Sequence, residues 1–273
     1  MKYCLRYARH NKYLKEVDEV IVPFQIEDIN FVETLTGKNE LQNACIIVDV
    51  LDIADFVKDN SIAIFLDMQK SYPNMKFKLR FAHYNASHDE LFTQLKEAKI
   101  PFFFTTHVNT LDYFQGLVDL GVSDIYIVED LGFELKKLGP VAHAKDISIR
   151  AFANVCQTSW PHKSNLKSFF IRPEDVSVYE EYVDVLEFYG DYNMEKIMYR
   201  VYSKDKKWFG NLQEIIIGLS DELDSRYLLP QFARVRVGCG KRCIKGTACN
   251  ICEKIVVVSH TLEEKGYMVK LQD

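Results

Sequence analysis

Short apolar runs rich in β-branched and aromatic residues return about every 20 to 30 residues along most of the chain. They cover 19–23, 45–49, 77–81, 102–106, 124–128, 147–152, 169–172 and 183–187. Several are near-continuously apolar, as strands covered on both faces are. The segments between them carry helical spacing. Residues 88–95 place apolar side chains on one face, and Thr110 is a plausible N-cap for a helix that runs into Gly121, a plausible stop. Residues 175–182 fit one further short helix. Strands alternating with helices imply right-handed crossovers and a parallel sheet. Eight such units in about 190 residues predict an α/β fold, a (β/α)8 TIM-like barrel over residues 1–190. A doubly wound nucleotide-binding sheet would need a glycine-rich turn after its first strand. Here Val22 is followed by Pro23-Phe24-Gln25-Ile26-Glu27, and no G-x-x-x-x-G-K loop occurs either. From about 191 the rhythm breaks. Helices are predicted over 194–204 and 212–223, within a helical, cysteine-rich C-terminal extension, residues 191–273.

Composition narrows the class. The chain has 273 residues, 48% apolar and 27% charged, with a net charge of −5, which excludes a disordered tail, a collagen-like fibre and a coiled coil. No uncharged apolar window of about 18 residues exists, so no helix is expected to span a bilayer. The N-terminus is broken by charge every two or three residues and does not read as a secretory signal, so a cytoplasmic location is expected. Bulk acidity argues against general nucleic-acid binding, although a local basic patch is still compatible with it. Oligomeric state is not fixed by any of these features.

Barrel enzymes place their working groups at the C-terminal ends of the strands. Those ends are polar here: Asp49, Arg80, His107, Glu129-Asp130, Asn154, Gln157, Glu174 and Glu187-Phe188-Tyr189-Gly190. Polar loop residues that cap helices are the bland explanation for any one of them. The set is harder to dismiss, because Arg80, Arg150, Arg172 and Glu187 lie inside apolar strands. An unpaired charge there would cost several kcal/mol, so these groups must pair with one another or face a ligand at the barrel mouth. Arg80, Arg150 and Arg172 are candidates for binding an anionic small molecule or the phosphates of RNA. Glu129, Asp130, Glu174 and Glu187 are candidate acid/base or orienting groups, and Asn154 and Gln157 would fix polar substrate atoms.

Seven cysteines are unevenly spread, with Cys239, Cys243, Cys249 and Cys252 in a C-x3-C-x5-C-x2-C pattern. In a reducing compartment a cluster this tight points to a metal site rather than disulfides. Four thiolates satisfy tetrahedral zinc and equally a [4Fe–4S] cluster. Spacing alone leans modestly to zinc. Lys241, Arg242, Lys245 and Lys254 would offset the charge of either, or touch a nucleic-acid backbone as zinc knuckles do. Cys156, alone at a strand end, is expected to be buried and inert. No G-x-S-x-G elbow or other nucleophile signature is found.

The run Leu120-Gly121-Val122-Ser123-Asp124-Ile125-Tyr126-Ile127-Val128-Glu129-Asp130-Leu131-Gly132 resembles a signature of the collagenase-like peptidase family of unknown catalytic type. Residues 147–157, 170–176 and 183–190 are similar to later blocks of that family, so the resemblance covers about 120–190. It implies a TIM-like barrel. It also implies oxygen insertion into RNA bases or ubiquinone precursors, in some members with an iron–sulfur cluster on four cysteines. Two departures stand out: the family's His-Gly is Tyr189-Gly190 here, and the four cysteines lie some fifty residues later than in the family. Spacing and resemblance together leave zinc and [4Fe–4S] balanced. The leading expectation is a metal-dependent hydroxylase-type enzyme, followed by a non-catalytic scaffold with a zinc knuckle, and third a peptidase.

Overall fold

The computed structural model describes residues 1–7, 11–23, 41, 44–50, 52–58, 61–108, 110–156, 168–240 and 250–267, without the side chains of Lys58, His107, Glu129 and Asp130. Eight parallel strands close into a barrel in sequence order. They are β1 (Lys2–Arg6), β2 (Glu19–Pro23), β3 (Cys45–Val50), β4 (Lys76–Phe81), β5 (Phe102–Val108), β6 (Asp124–Ile127), β7 (Ser148–Phe152) and β8 (Val185–Glu187). β1 closes the ring by pairing with both β2 and β8. Helices α1 (Ile53–Lys58), α2 (Ser61–Ser71), α3 (Asp89–Glu97), α4 (Leu111–Leu120), α5 (Leu135–His143) and α6 (Val176–Tyr179) lie between the later strands. After the barrel come α7 (Tyr192–Tyr199), which continues as a π-helical turn over Arg200–Asp205, α8 (Gln231–Arg236) and α9 (Ile251–Glu264). Among the described residues no helix is long and apolar enough to cross a membrane.

The barrel is the expected one, but one expected strand is not part of it and one of its strands was not expected. Residues 169–172 are not a barrel strand. Their apolar side chains are buried under the later chain, with Phe170 against Phe232 at 6.0 Å. The missing strand is β1. Its inward positions are Lys2, Cys4 and Arg6, so alternation puts charge at both ends of its inner face and hides the apolar signal. The helix expected over 212–223 reduces to a 3-10 turn at Leu212–Glu214.

Alternation sorts the remaining side chains. In β5, Phe102 and Phe104 point outward to Phe92 of α3, at 5.4 and 5.1 Å between ring centroids, while Phe103 points into the barrel. Each ring so buried contributes roughly 2 kcal/mol. One continuous core holds these outward residues together with Tyr202, Leu212, Ile216, Leu228, Phe232 and Val237 from beyond β8. A smaller cluster, Cys4, Ile21, Ile47, Phe103, Tyr126 and Val185, fills the middle of the barrel.

α4 forms as its caps dictate. The Thr110 hydroxyl accepts from the Tyr113 N–H, and Gly121 ends the helix in the left-handed region at φ 74°. Gly116, on the same helix, has open space where a Cβ would stand. The two glycines therefore respond to alanine with opposite signs. Gly121→Ala is expected to destabilise by about 1 kcal/mol, and Gly116→Ala to stabilise by about 0.5–1 kcal/mol, both read from urea denaturation midpoints.

Candidate functional site

The strands bring seven charged side chains into the barrel interior, and these form a continuous network from one end to the other. At the C-terminal mouth, Arg80 of β4 grips Asp49 of β3 with two hydrogen bonds, Nε to Oδ1 at 2.9 Å and Nη2 to Oδ2 at 2.7 Å. Its Nη1 donates to Glu187 of β8 at 3.1 Å. The other Glu187 oxygen accepts from the Tyr126 hydroxyl and lies 3.5 Å from Arg150 Nη2. Arg150, fully buried, donates through Nη1 to Glu19 at 2.5 Å and Asp124 at 3.1 Å. Lys78 completes the chain with bonds to Glu19 at 3.2 Å and to both Asp124 oxygens at 2.9 Å. Phe103 and Tyr126 present their ring faces to the Arg150 guanidinium at 5.0 and 5.4 Å.

Burial and pairing set the ionisation of this network. Burial alone would raise the Asp124 carboxyl, but Lys78 and Arg150 outweigh it and hold the group below the usual carboxylate range. Burial pulls Lys78 down, and Asp124 and Glu19 more than restore it, so its ammonium is held above the usual lysine range. The Tyr126 phenol is pushed far up by burial and by the Glu187 charge, so it remains a donor.

Of the residues expected to form one site, Arg80, Arg150 and Glu187 do converge inside the barrel. Arg172 does not. It lies outside the barrel, fully buried, with Asp175 held at 2.6 and 2.8 Å and the Ser225 and Leu228 carbonyls at 3.1 and 3.2 Å. Its segment is an extended connection into α6, and the guanidinium ties that connection to the later chain. Glu174 sits on the same seam. It accepts from the Trp208 N–H at 2.7 Å and the Ser225 hydroxyl at 3.1 Å, and burial raises its pKa against the pull of Arg172. Glu129 and Asp130 lie on the 3-10 turn Glu129–Phe133 after β6, at the mouth end, with their side chains outside the description. Gln157, Cys243 and Cys249 lie outside the described residues.

Asn154 is buried and both ends of its amide are committed. Its Nδ2 donates to the Tyr189 carbonyl and its Oδ1 accepts from the Tyr189 N–H, each at 2.8 Å. The amide thereby clamps the chain after β8 to the chain after β7. Tyr189 itself is 57% exposed, two residues beyond Glu187 on the inward face. Its ring meets Phe152 edge-on at 6.3 Å, and Phe152 stacks on Tyr126 at 5.3 Å. The next residue, Gly190, has φ 139° and no room for a Cβ beside Met194, and its carbonyl accepts from Arg6. Tyr189 was not singled out from the sequence as a site residue. The inward period counted from Val185 and Glu187 was the signal that could have found it.

Two of the four clustered cysteines are described, and both are half-buried against the main core. The Cys239 segment docks on the turn after β6, where the Gly240 N–H donates to the Phe133 carbonyl at 2.9 Å and the Lys136 N–H to the Val237 carbonyl at 3.0 Å. Just before it, Arg236 is buried among Phe133, Phe170 and Phe232, at 4.4 to 5.0 Å from their rings. Among the described residues, no group of three or more His, Cys, Asp or Glu is placed to hold a metal. Cys156 is buried, and burial pushes its thiol up to about 12. Comparison with protein-family models and with curated proteins finds no match to this chain.

Arg150→Met removes the cation shared by Glu19, Asp124 and Glu187, and is expected to destabilise by about 3–5 kcal/mol in urea denaturation. The pH dependence has a definite sign. Asp124, depressed in the folded state, contributes stability that is present above the usual carboxylate pKa and lost as pH falls through its folded value. Asp124→Asn should therefore flatten the acid limb of the stability curve, measured by urea midpoints from neutral pH downward.

Proposed function

We propose that this barrel is an enzyme that receives a planar aromatic ring at its C-terminal mouth, in the form of an RNA base. The observation that carries the reading is Tyr189, an exposed ring whose backbone is clamped by the buried Asn154 amide, two residues beyond Glu187 of the Asp49–Arg80–Glu187 cluster. An aromatic face accepts any base, whereas the Asp49 carboxylate, 18% exposed at the rim, supplies a polar partner for the base edge. Direct phosphate recognition by Arg80, Arg150 and Arg172 receives less support, since all three already bind carboxylates. Oxygen insertion is the reaction implied by resemblance to the collagenase-like peptidase family, and a cytoplasmic setting with reduced thiols suits it.

The metal belongs to the same proposal. Cys239 and Cys252 flank the segment carrying Cys243 and Cys249, and the four-thiolate donor set suits [4Fe–4S] and zinc alike. A cluster would supply one-electron transfer near the mouth, and zinc would supply structure. The docking of Cys239 beside the turn bearing Glu129 and Asp130 favours a role close to the substrate. One observation favours a non-catalytic scaffold as second reading: each interior cation lies beside an interior carboxylate without a ligand. A peptidase has no such support.

The test is binding of a short single-stranded RNA to anaerobically purified protein, alongside metal analysis and a visible spectrum. Tyr189→Phe should bind as the parent does. Tyr189→Ala should lose on the order of 1–3 kcal/mol, the worth of one stacked base. Brown protein that bleaches with dithionite would assign the iron–sulfur form. Colourless zinc protein whose RNA affinity ignores Tyr189→Ala would sink the enzyme reading and leave the scaffold.

A further inference from the structure

The N-terminal end of the barrel, opposite the mouth, carries a cavity of about 450 Å³, within the size range of small-molecule sites. Its rim and floor follow from strand alternation. β4 opens Lys76-Phe77-Lys78, so Lys76 and Lys78 fall on one face two residues apart, and the register Cys45↔Lys76 and Ile47↔Lys78 fixes that face as the inner one. Lys2 begins β1 with the same inward parity as Cys4. Lys99 approaches from the connection between α3 and β5, beside Pro101. Four ammonium groups thus line the cavity, against two carboxylates, Asp18 and Glu19.

One of the two carboxylates is already spent. Glu19 is ion-paired with Lys78 and Arg150, whereas the Asp18 carboxylate, among the described residues, accepts only from the neutral Tyr3 N–H at 2.8 Å and keeps its charge. Lys2, Lys76 and Lys99 are exposed and pair with no carboxylate among the described residues. Cys45, also in the lining, adds no charge, because burial pushes its thiol up to about 12. Lys2, Lys76 and Lys99 against the one unpaired carboxylate of Asp18 leave the cavity net positive on a chain whose net charge is −5. Three like charges around one space repel each other, and a polyanion placed among them would relieve that repulsion. Lysines are compact, hydrated point charges, suited to phosphate oxygens from several directions rather than to planar bidentate grips.

We infer that this cavity binds a compact phosphate-class polyanion, at a site separate from the mouth and independent of the function proposed for it. The test uses the full chain, with inorganic tripolyphosphate and inorganic phosphate as probes in isothermal titration calorimetry at low salt. One tripolyphosphate should bind per chain, more tightly than phosphate, and weaken as salt rises. Lys76→Glu combined with Lys99→Glu should weaken tripolyphosphate at least tenfold. A charge-matched control, Lys137→Glu with Lys206→Glu, should bind as the parent does; both of its lysines are exposed and neither lines the cavity. Circular dichroism confirms that each variant is folded. Should the cavity variant misfold, Lys99→Ala alone, at an exposed loop position, should still weaken binding severalfold. The inference is overturned if the parent shows no binding heat, or if the cavity variant and the control lose affinity equally. Neither result bears on RNA binding at Tyr189.

Discussion

The interior of this barrel is charged, and that constraint organises much else. Lys78, Arg80 and Arg150 point inward with Glu19, Asp49, Asp124 and Glu187. A buried charge without a partner costs several kcal/mol, and removing one member of a buried pair strands the other. The strand register must therefore hold cation beside anion at every level. Asp49 is register partner of Arg80 across neighbouring strands. Slipping any of these strands by one residue would turn its charges toward the apolar helix layer.

Because the interior cations are committed to interior anions, the inward-facing groups left to solvent among the described residues lie at the two openings. Among the described residues, the Asp49 carboxylate and the Tyr189 ring reach solvent at the mouth, positioned by the buried groups Arg80 and Asn154. At the other opening the inward period ends in lysines that outnumber the acid left to them, since Glu19 and Asp124 face deeper partners and only Asp18 remains. One alternation rule, applied to strands of finite length, leaves carboxylate and aromatic surface at one end and ammonium groups at the other.

The chain beyond β8 packs as part of the barrel rather than beside it. Tyr202, Phe232 and Val237 share the main core, Arg172 binds two carbonyls of that region, and Arg236 is held by three rings from the barrel and α8. The Cys239 segment is carried in this way to the turn after β6. Its position at the barrel end is a consequence of apolar packing and buried guanidinium contacts, upstream of any metal.

The sequence by itself determined the class of fold. Short, near-continuous apolar runs separated by helical spacing, the Thr110 and Gly121 caps and the absence of a glycine-rich first turn were enough, because they are local properties of the chain. It also marked Arg80, Arg150 and Glu187 as charges needing partners, since burial follows from the apolar neighbours. Tertiary structure decided what the sequence could not rank. β1 was hidden because its inner face carries charge at both ends, and residues 169–172 imitated a strand because the later chain buries them. Arg172 looked equivalent to Arg150 in local pattern. Only the closure of the barrel, which puts one guanidinium at its axis and the other on its outer seam, separates them, because residues distant in sequence supply the partners.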